Sequence, residues 1–263
     1  MRAFRGPSAP VSLKISGCVI AYNEEDCIQP CLRSLALVAD ELLVVDSHST
    51  DRTHQLAAEC GARVIERDWP GYRSQRQFAH QAASHDWIIM LDADEQLSPE
   101  LAAEIRQLKQ QGAATAAAYS IPFASRYFGK YLRFGDAGRE HHVRLFDRRR
   151  AAMGGFEIHE KIVAKGSVGS LRGRILHDSY RSLDDQTEKL TQYAALMAQH
   201  MHAAGRRGRV AQILFNPAWR FLRAYCLRLG FLDGWRGLVM ALQDSNYVRQ
   251  KYLRLYVLSR ANS

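Results

Sequence analysis

The side chains best suited to chemistry are acidic groups that follow apolar segments in the first hundred residues. Asn23-Glu24-Glu25 follows one such segment, Asp46 follows the next, and Asp92-Ala93-Asp94-Glu95 follows a later one. Carboxylates crowded this closely repel one another unless a cation or hydrogen-bond donors compensate their charge. Oxygen-rich clusters of this kind suit Mg²⁺ or Mn²⁺, which then keep coordination positions for phosphate oxygens. The pattern predicts a divalent cation beside a phosphate-bearing substrate, although single Asp and Asn residues also cap helices.

The segments that must position these groups alternate between strand and helix patterns. The expected strands are 15–21, 41–45, 63–66 and 87–91, and the expected helices are 26–38, 51–60, 72–84 and 99–112. This alternation predicts an α/β fold with an open, mostly parallel sheet and flanking helices. Ligands of such sheets gather beyond the carboxyl ends of the strands, where the acidic groups lie. Short glycine-broken strands over 119–180 predict an antiparallel or mixed extension, and a further helix is expected over 182–202.

Neither common glycine-rich phosphate loop is present. The sequence has no G-x-G-x-x-G motif and no G-x-x-x-x-G-K motif. A diphosphate would therefore have to be held by a metal ion and by basic side chains.

Three motifs in this order resemble the family 2 glycosyltransferases of the GT-A fold. They are Val19-Ile20-Ala21-Tyr22-Asn23-Glu24-Glu25, Val44-Val45-Asp46-Ser47-His48-Ser49-Thr50-Asp51 and Asp92-Ala93-Asp94-Glu95. Further runs are similar to the bacterial glucosyltransferases that extend the lipopolysaccharide inner core: Trp69-Pro70-Gly71-Tyr72-Arg73-Ser74-Gln75-Arg76, His159-Glu160, His177-Asp178-Ser179-Tyr180-Arg181-Ser182 and Gly230-Phe231-Leu232-Asp233-Gly234. The resemblance implies transfer of a hexose, glucose in the inner-core enzymes, from a UDP-sugar.

The resemblance also implies roles for residues near the nucleoside. Ala21, Tyr22 and Glu24 would border the base, and Asp46 would accept a hydrogen bond from uracil. Asp92 would contact the ribose or the bound donor.

Three more residues acquire roles at the diphosphate in the same way. Asp94 would ligate the divalent metal, and His177 matches a position that supplies a second metal ligand in many GT-A enzymes. Arg76 would reach a phosphate or the donor sugar. The alternatives are a structural histidine at 177 and a solvated arginine on the helix that begins at Tyr72.

Inverting transfer also needs a base for the acceptor hydroxyl. The candidate is Glu160, in a loop-like stretch where the family places an acceptor-side carboxylate, and Glu157 is its rival. His159 would orient the base or the acceptor, or is a plain polar loop residue. The spacing of Glu157 and Glu160 would put both on one side of a short helix, so the two stay open.

The positive charge of the chain is concentrated at its C-terminus. Of 263 residues, 36 are Lys or Arg and 27 are Asp or Glu, and residues 206–263 hold 11 of the basic but only two of the acidic residues. A nucleic-acid enzyme would carry a basic stripe across its main domain, so nucleic acid is not the expected partner. We expect a transferase domain over 1–205 and a basic amphipathic helical tail over 206–263 that associates with an anionic membrane surface.

The tail's expected structure is specific enough to be checked. Asn216-Pro217 predicts a helix start and Gly230 its end. Trp219 and its apolar neighbours would occupy one arc, with Arg220, Arg223 and Arg228 on the other side, facing water or lipid headgroups. No apolar run is long enough to cross a bilayer.

The chain is therefore expected to be a peripheral enzyme at the cytoplasmic face of the inner membrane. Its acceptor would be a lipid-linked saccharide, and its five cysteines, with no C-x-x-C pair, fit a reducing compartment. One alternative is transfer of a sugar to a polyprenyl phosphate or to another cell-envelope glycan. The others are a nucleotidyltransferase that uses the same acidic cluster and a non-catalytic membrane- or nucleic-acid-binding protein.

Overall fold

The computed structural model describes residues 13–112, 115–156, 159–178, 180 and 182–261. These fall into two compact units, the first comprising residues up to 122 and 141–176, the second comprising 123–140 and the chain from 177 onward. The domain boundary predicted after residue 205 lies inside the second unit. Each unit is described by itself.

The first half of unit one alternates strands and helices as expected. Its elements are β1 (Ile15–Ala21), α1 (Ile28–Ala36), β2 (Glu41–Asp46), α2 (Thr53–Glu59), β3 (Arg63–Glu66), α3 (Tyr72–Ala82) and β4 (Trp87–Asp92). Strand β1 pairs in parallel with β2 and with β4, and β2 pairs in parallel with β3. Every residue of β1 is buried, as in a strand covered on both faces. The predicted parallel sheet is confirmed.

The next helix is bounded by the residues that its sequence indicates. Short strand β5 (Glu95–Leu97) precedes α4 (Pro99–Gln111). The Ser98 hydroxyl accepts a hydrogen bond from the N–H of Leu101 at 3.2 Å, which caps the helix. Gly112 ends it in the left-handed conformation, with φ +68°, which glycine adopts without steric cost.

A mixed extension follows, one of the two forms predicted. Its strands are β6 (Ala118–Tyr127), β7 (Lys130–Tyr131), β8 (His141–Asp147), β9 (Ala151–Phe156), β10 (His159–Ala164), β11 (Val168–Ser170) and β12 (Ile175–His177). Strand β8 pairs antiparallel with β4 and with β6, and the sheet order is β3-β2-β1-β4-β8-β6-β12-β5. Strand β11 pairs with β6 in parallel, whereas β7 pairs with it antiparallel. Strands β9 and β10 form a separate antiparallel pair. The main core lies between the sheet and α3, where Cys18, Val45, Ile88 and Phe146 cluster with Ala79.

Unit two is built mainly from three helices. They are α5 (Leu183–Ala203), α6 (Val210–Phe221) and α7 (Trp235–Ala261), and a π-helical stretch, Leu222–Leu227, continues α6. Helices α5 and α7 pack through Ala198, Met201 and Leu255. Among the described residues, no helix combines the length and the apolar content that crossing a membrane requires.

Two expectations about the tail are wrong. Helix α6 begins at Val210, so Pro217 lies inside it and is buried. The proline has no N–H to donate within the helix, but its carbonyl accepts a hydrogen bond from the Ser245 hydroxyl of α7 at 2.9 Å, so packing between the helices stabilises the position.

The tail arginines are the second correction. Arg220, Arg223 and Arg228 do not face water or headgroups, because all three form ion pairs with the Asp136 carboxylate. Their side chains are 29–34% exposed, and that of Asp136 is 13% exposed. Burial alone would raise the pKa of Asp136, but the three guanidiniums hold it below its ordinary value.

Candidate functional site

The ends of three parallel strands place the predicted donor-site residues in a row. In the strand register Ala21 lies opposite Asp46, and Ile20 lies opposite Asp92. Neighbouring strands are about 4.8 Å apart, so Asp46 and Asp92 flank the end of β1 at one edge of the sheet. Tyr22, the first residue beyond β1, is 57% exposed.

The loops after β1 and β2 are tied together by side-chain to backbone hydrogen bonds. The N–H of Asn23 donates to the Ser49 hydroxyl at 2.9 Å, and the N–H of Glu24 donates to the Thr53 hydroxyl at 2.7 Å. In return, the Asn23 side-chain oxygen accepts from the N–H of Thr50 at 2.8 Å. These hydrogen bonds explain why Asn23 keeps a positive φ of 55°, and they fix the backbone at Glu24.

Asp46 organises the second loop. Its carboxylate is 1% exposed and accepts hydrogen bonds from both the N–H and the hydroxyl of Ser49. Beside it, buried Gln75 of α3 donates to the Ser47 hydroxyl at 3.1 Å. Asp46 therefore holds the loop in shape, and its contact with uracil stays a prediction.

The carboxylates after β4 are compensated by two arginines. Arg76 of α3 donates to both oxygens of Asp92, at 2.6 and 2.8 Å. Arg144 of β8 donates to Glu95 at 2.6 Å and to Asp92 at 3.4 Å. Both guanidiniums are 13% exposed and Glu95 is 1% exposed, so these are largely buried, charge-assisted contacts.

The electrostatics of this cluster are strongly coupled. Burial alone would lower the pKa of Arg144, but the carboxylates of Glu95 and Asp92 raise it above its ordinary value. Burial, and then the fields of Glu95, Asp94 and Asp92, raise the pKa of the neighbouring Cys31 thiol. This Cys31 thiol donates to the Asp92 carbonyl at 3.4 Å, so it serves as a buried, uncharged support for the strand end.

Arg76 also lies beside the ring of Tyr72. Its guanidinium lies 5.9 Å from the centre of the Tyr72 ring, and Tyr72 packs edge-on against Trp69 at 4.7 Å. Both rings are exposed, at 39% and 46%. The alternative of a solvated Arg76 is wrong, since Asp92 holds this side chain against the sheet. The arrangement leaves exposed aromatic surface beside a fixed positive charge, which suits a sugar or a base.

The two predicted metal ligands belong to different units. Asp94 is half-buried in unit one, and His177 belongs to unit two, where its ring centre lies 5.9 Å from that of Phe123. Within the ranges that the structure describes, no three His, Cys, Asp or Glu side chains form a group that could hold an ion by themselves. Protein sites for Mg²⁺ often supply only one or two carboxylates and take their other ligands from phosphates and water. Asp94 fits a site of that kind, and the role of His177 stays a prediction.

The candidate base Glu160 lies in a strand rather than in the loop-like stretch that the sequence predicts. His159 and Glu160 belong to the backbone of β10, where they pair with Phe156 and Gly155 of β9. Glu157 lies outside the described residues. The assignment of the base therefore stays a prediction.

Arg144 and Glu95 are the residues that sequence reasoning did not single out. Glu95 belongs to the acidic motif but was given no role of its own, and Arg144 lies 49 residues further along the chain. The sequence indicates only that three carboxylates in four residues need positive charge nearby, not which residue supplies it. The guanidiniums of Arg76 and Arg144 therefore compensate part of the negative charge for which the sequence alone predicts a metal ion.

The family model for glycosyl transferase family 2 matches residues 16–164, which is more than half of the chain. The chain belongs to this family. The matched region contains the row of Ala21, Asp46 and Asp92 as well as Arg76 and Arg144. The predicted membership and enzyme class are therefore confirmed.

Two proteins named as glycosyltransferases resemble this chain over most of its length. The lipopolysaccharide core biosynthesis glycosyltransferase LpsC of Rhizobium meliloti is 32% identical over 256 residues, which cover 91% of this chain and 93% of LpsC. An uncharacterized glycosyltransferase of Rickettsia typhi, RT0209, is 30% identical over 236 residues, 86% of this chain and 81% of that protein.

Solved structures agree on the fold. The mannosyltransferase PcManGT of Pyrobaculum calidifontis, in complex with GDP-Man and Mn²⁺, aligns with a TM-score of 0.52 at 16% identity, covering 98% of this chain and 88% of that one. Glucosyl-3-phosphoglycerate synthase of Mycobacterium tuberculosis, in complex with Mn²⁺, UDP and glucosyl-3-phosphoglycerate, aligns with a TM-score of 0.50 at 19% identity, covering 75% and 82%. The predicted GT-A fold is confirmed.

Proposed function

We propose that this glycosyltransferase moves a hexose, glucose, from a UDP-sugar to a lipid-linked saccharide of the lipopolysaccharide inner core, with inversion at the anomeric carbon. The observation that carries the donor half is the row of Ala21, Asp46 and Asp92 at the carboxyl edge of the sheet, with Arg76 fixed beside it. The acceptor half draws its support from the similarity to LpsC.

The chain's own residues would bind the donor in two parts. The hydrogen-bonded loops after β1 and β2 would enclose the nucleoside, with Tyr22 and Glu24 beside the base. The ribose hydroxyls would contact the carboxylate of Asp92. The Asp92 carboxylate fixes the Arg76 guanidinium, which would contact a phosphate or the sugar of the donor. Fixed donors of this kind stabilise developing charge without reorganisation during the reaction.

A bound divalent cation would neutralise charge on the leaving diphosphate, and solved relatives of the same fold contain Mn²⁺. Asp94 would hold it, and we retain His177 as the proposed second ligand. Asp92, Asp94 and Glu95 carry three carboxylates against the guanidiniums of Arg76 and Arg144. One formal negative charge therefore remains within this group, which favours a cation.

On the acceptor side, Glu160 would remove the proton from the attacking hydroxyl, with Glu157 as its rival and His159 as an orienting group. A sugar hydroxyl is a weak acid that stays protonated near neutral pH, so it needs such a base, whereas a lipid phosphate is already ionised and does not. This difference separates the proposed acceptor from a polyprenyl phosphate.

The donor site can be tested by thermal unfolding of the full chain with nucleoside diphosphate sugars, with and without Mn²⁺. We expect UDP-glucose with Mn²⁺ to raise the melting temperature, since a ligand at about 100 times its Kd stabilises by about 2.7 kcal/mol. Asp94→Ala should remove the metal-dependent part, and the control Glu59→Ala, at an exposed carboxylate on α2, should not. A GDP-sugar signal in place of the UDP signal would refute the donor assignment.

A further inference from the structure

The segment from residue 210 to residue 232 turns its apolar side outward. Every exposed side chain in this range is apolar. Among them are the side chains of Leu214, Phe215, Trp219, Leu222, Phe231 and Leu232, which are 44–69% exposed. We call these six side chains the apolar face.

The charged side of the same segment is turned inward. Arg220, Arg223 and Arg228 converge on Asp136, and the Asp233 carboxylate accepts the N–H groups of Arg133 and Phe134. A surface helix of a water-soluble domain shows the opposite arrangement, with charges outward. Several large exposed apolar side chains within one short segment are typical of an interaction site.

The charges around the apolar face favour an anionic partner. Arg206, Arg207 and Arg209 are exposed and come directly before α6. The two carboxylates of residues 206–263 are both engaged, Asp233 by backbone N–H groups and Asp244 by Arg220 at 2.7 Å. In the described part of the tail, therefore, no exposed carboxylate would repel an anionic surface.

We propose that the apolar face inserts into the headgroup–acyl boundary of an anionic lipid bilayer, with Arg206, Arg207 and Arg209 against the headgroups. Exposed tryptophan, phenylalanine and leucine beside arginine, without a spanning segment, is the composition of an interfacial helix. An anionic bilayer offers acyl chains to the apolar face and negatively charged headgroups to the arginines within one surface. Arg220, Arg223 and Arg228 are then not lipid contacts, because they hold the segment in place through Asp136.

The proposal rests on the proposed function for its purpose, which is to bring the enzyme to a lipid-linked acceptor. Its test needs no sugar transfer. Stabilisation by a UDP-sugar in the absence of lipid should be unchanged in every variant below, so the two proposals can fail separately.

The test is sedimentation of the full chain with sucrose-loaded phosphatidylcholine vesicles, with and without phosphatidylglycerol. We expect binding to the anionic vesicles, and a loss of about 100-fold in partitioning for Leu214→Gln with Phe215→Gln, about tenfold for each bulky side chain. The matched control is Leu37→Gln with Val168→Gln, two apolar side chains of unit one that are 52% and 50% exposed. This control should bind like the wild type.

A second variant tests the charge requirement and leaves the apolar face unchanged. Replacing Arg206, Arg207 and Arg209 with glutamine should weaken binding to anionic vesicles by about 100-fold and leave the weaker binding to neutral vesicles unchanged. These side chains are exposed, so the variant should fold even if the first one does not.

Two kinds of result would overturn the proposal. The first kind comes from the vesicle assay: either the wild type and both variants bind equally, or the wild type does not bind. The other is a wild-type dimer in sedimentation velocity that Leu214→Gln with Phe215→Gln disperses, without vesicle binding by either protein. That result would assign the apolar face to a second copy of the chain.

Discussion

Replacing Arg144 with methionine should lower the free energy of unfolding of unit one by about 3 to 5 kcal/mol, the usual cost of removing one partner from a buried ion pair. Arg144 lies 2.6 Å from Glu95, and the two side chains are 13% and 1% exposed. Without the guanidinium, the Glu95 carboxylate would stay buried with its N–H contact from Asp92 at 2.9 Å. One backbone donor does not replace a guanidinium.

The matched control is Arg52→Met. Arg52 lies 3.2 Å from Glu25, and the two side chains are 70% and 37% exposed. Water screens such a pair, so its loss should cost less than about 1 kcal/mol. Both variants remove an arginine from an ion pair of unit one, but only Arg144→Met leaves a buried carboxylate behind.

Urea denaturation followed by tryptophan fluorescence measures this difference. A Trp219→Phe, Trp235→Phe background leaves Trp69 and Trp87, both in unit one, as the reporters. Arg144→Met combined with Glu95→Gln should recover part of the loss, because no unpaired charge is then buried. A loss for Arg144→Met no larger than that for Arg52→Met would refute the role of Arg144 in compensating the carboxylates.

Three further predictions follow from buried or acceptor-side groups. Burial and the nearby charges of Arg76 and Arg148 lower the pKa of His80 from 6.5 to about 3. Below pH 6.5 the unfolded chain therefore binds a proton at His80 that the folded chain does not bind, so the stability of the fold decreases as the pH drops. The loss should reach about 2 kcal/mol at pH 5, and His80→Gln but not the exposed His48→Gln should flatten this slope in urea titrations. Asp136→Asn should destabilise unit two by about 3 kcal/mol or more, measured by the fluorescence of the tryptophans in that unit. The control is Asp184→Asn, at an exposed carboxylate on α5. An equally small loss for both variants would show that the ion pairs of Asp136 with the three tail arginines do not stabilise unit two. Glu160→Gln should reduce turnover by about 100-fold or more with donor binding intact, and full activity would instead favour a lipid phosphate acceptor.

The parallel half of the fold was predictable because its signals are local. Strands β1 and β3 have the expected bounds, since short apolar runs between turn residues are typical of buried parallel strands. The cap at Ser98 and the glycine end at Gly112 were predictable for the same reason, because each depends on a few neighbouring residues.

The partners of the carboxylates were not predictable, because they come from distant segments. Arg144 meets Glu95 only through the antiparallel pairing of β8 with β4. A charge count at the acidic motif shows that compensation is needed, but it does not distinguish a metal ion from a guanidinium.

The tail shows how tertiary contacts override local signals. Asn216-Pro217 is a sound helix start by itself, yet α6 runs through it because Pro217 is buried against α7. Helical periodicity correctly separated the arginines from the apolar side chains, but it carries no information on which side faces the solvent. Asp136, about 90 residues before Arg228, decides that orientation.

The most direct test of the central claim is the anomeric configuration of the product. Purified full chain, UDP-α-glucose, Mn²⁺ and lipopolysaccharide that lacks the outer part of its inner core would be incubated, and the new glycosidic linkage would be measured by proton NMR. An inverting enzyme with a carboxylate base gives a β-linked glucose, and this is the predicted result. An α-linked product, or transfer to a polyprenyl phosphate in place of the saccharide, would contradict the account.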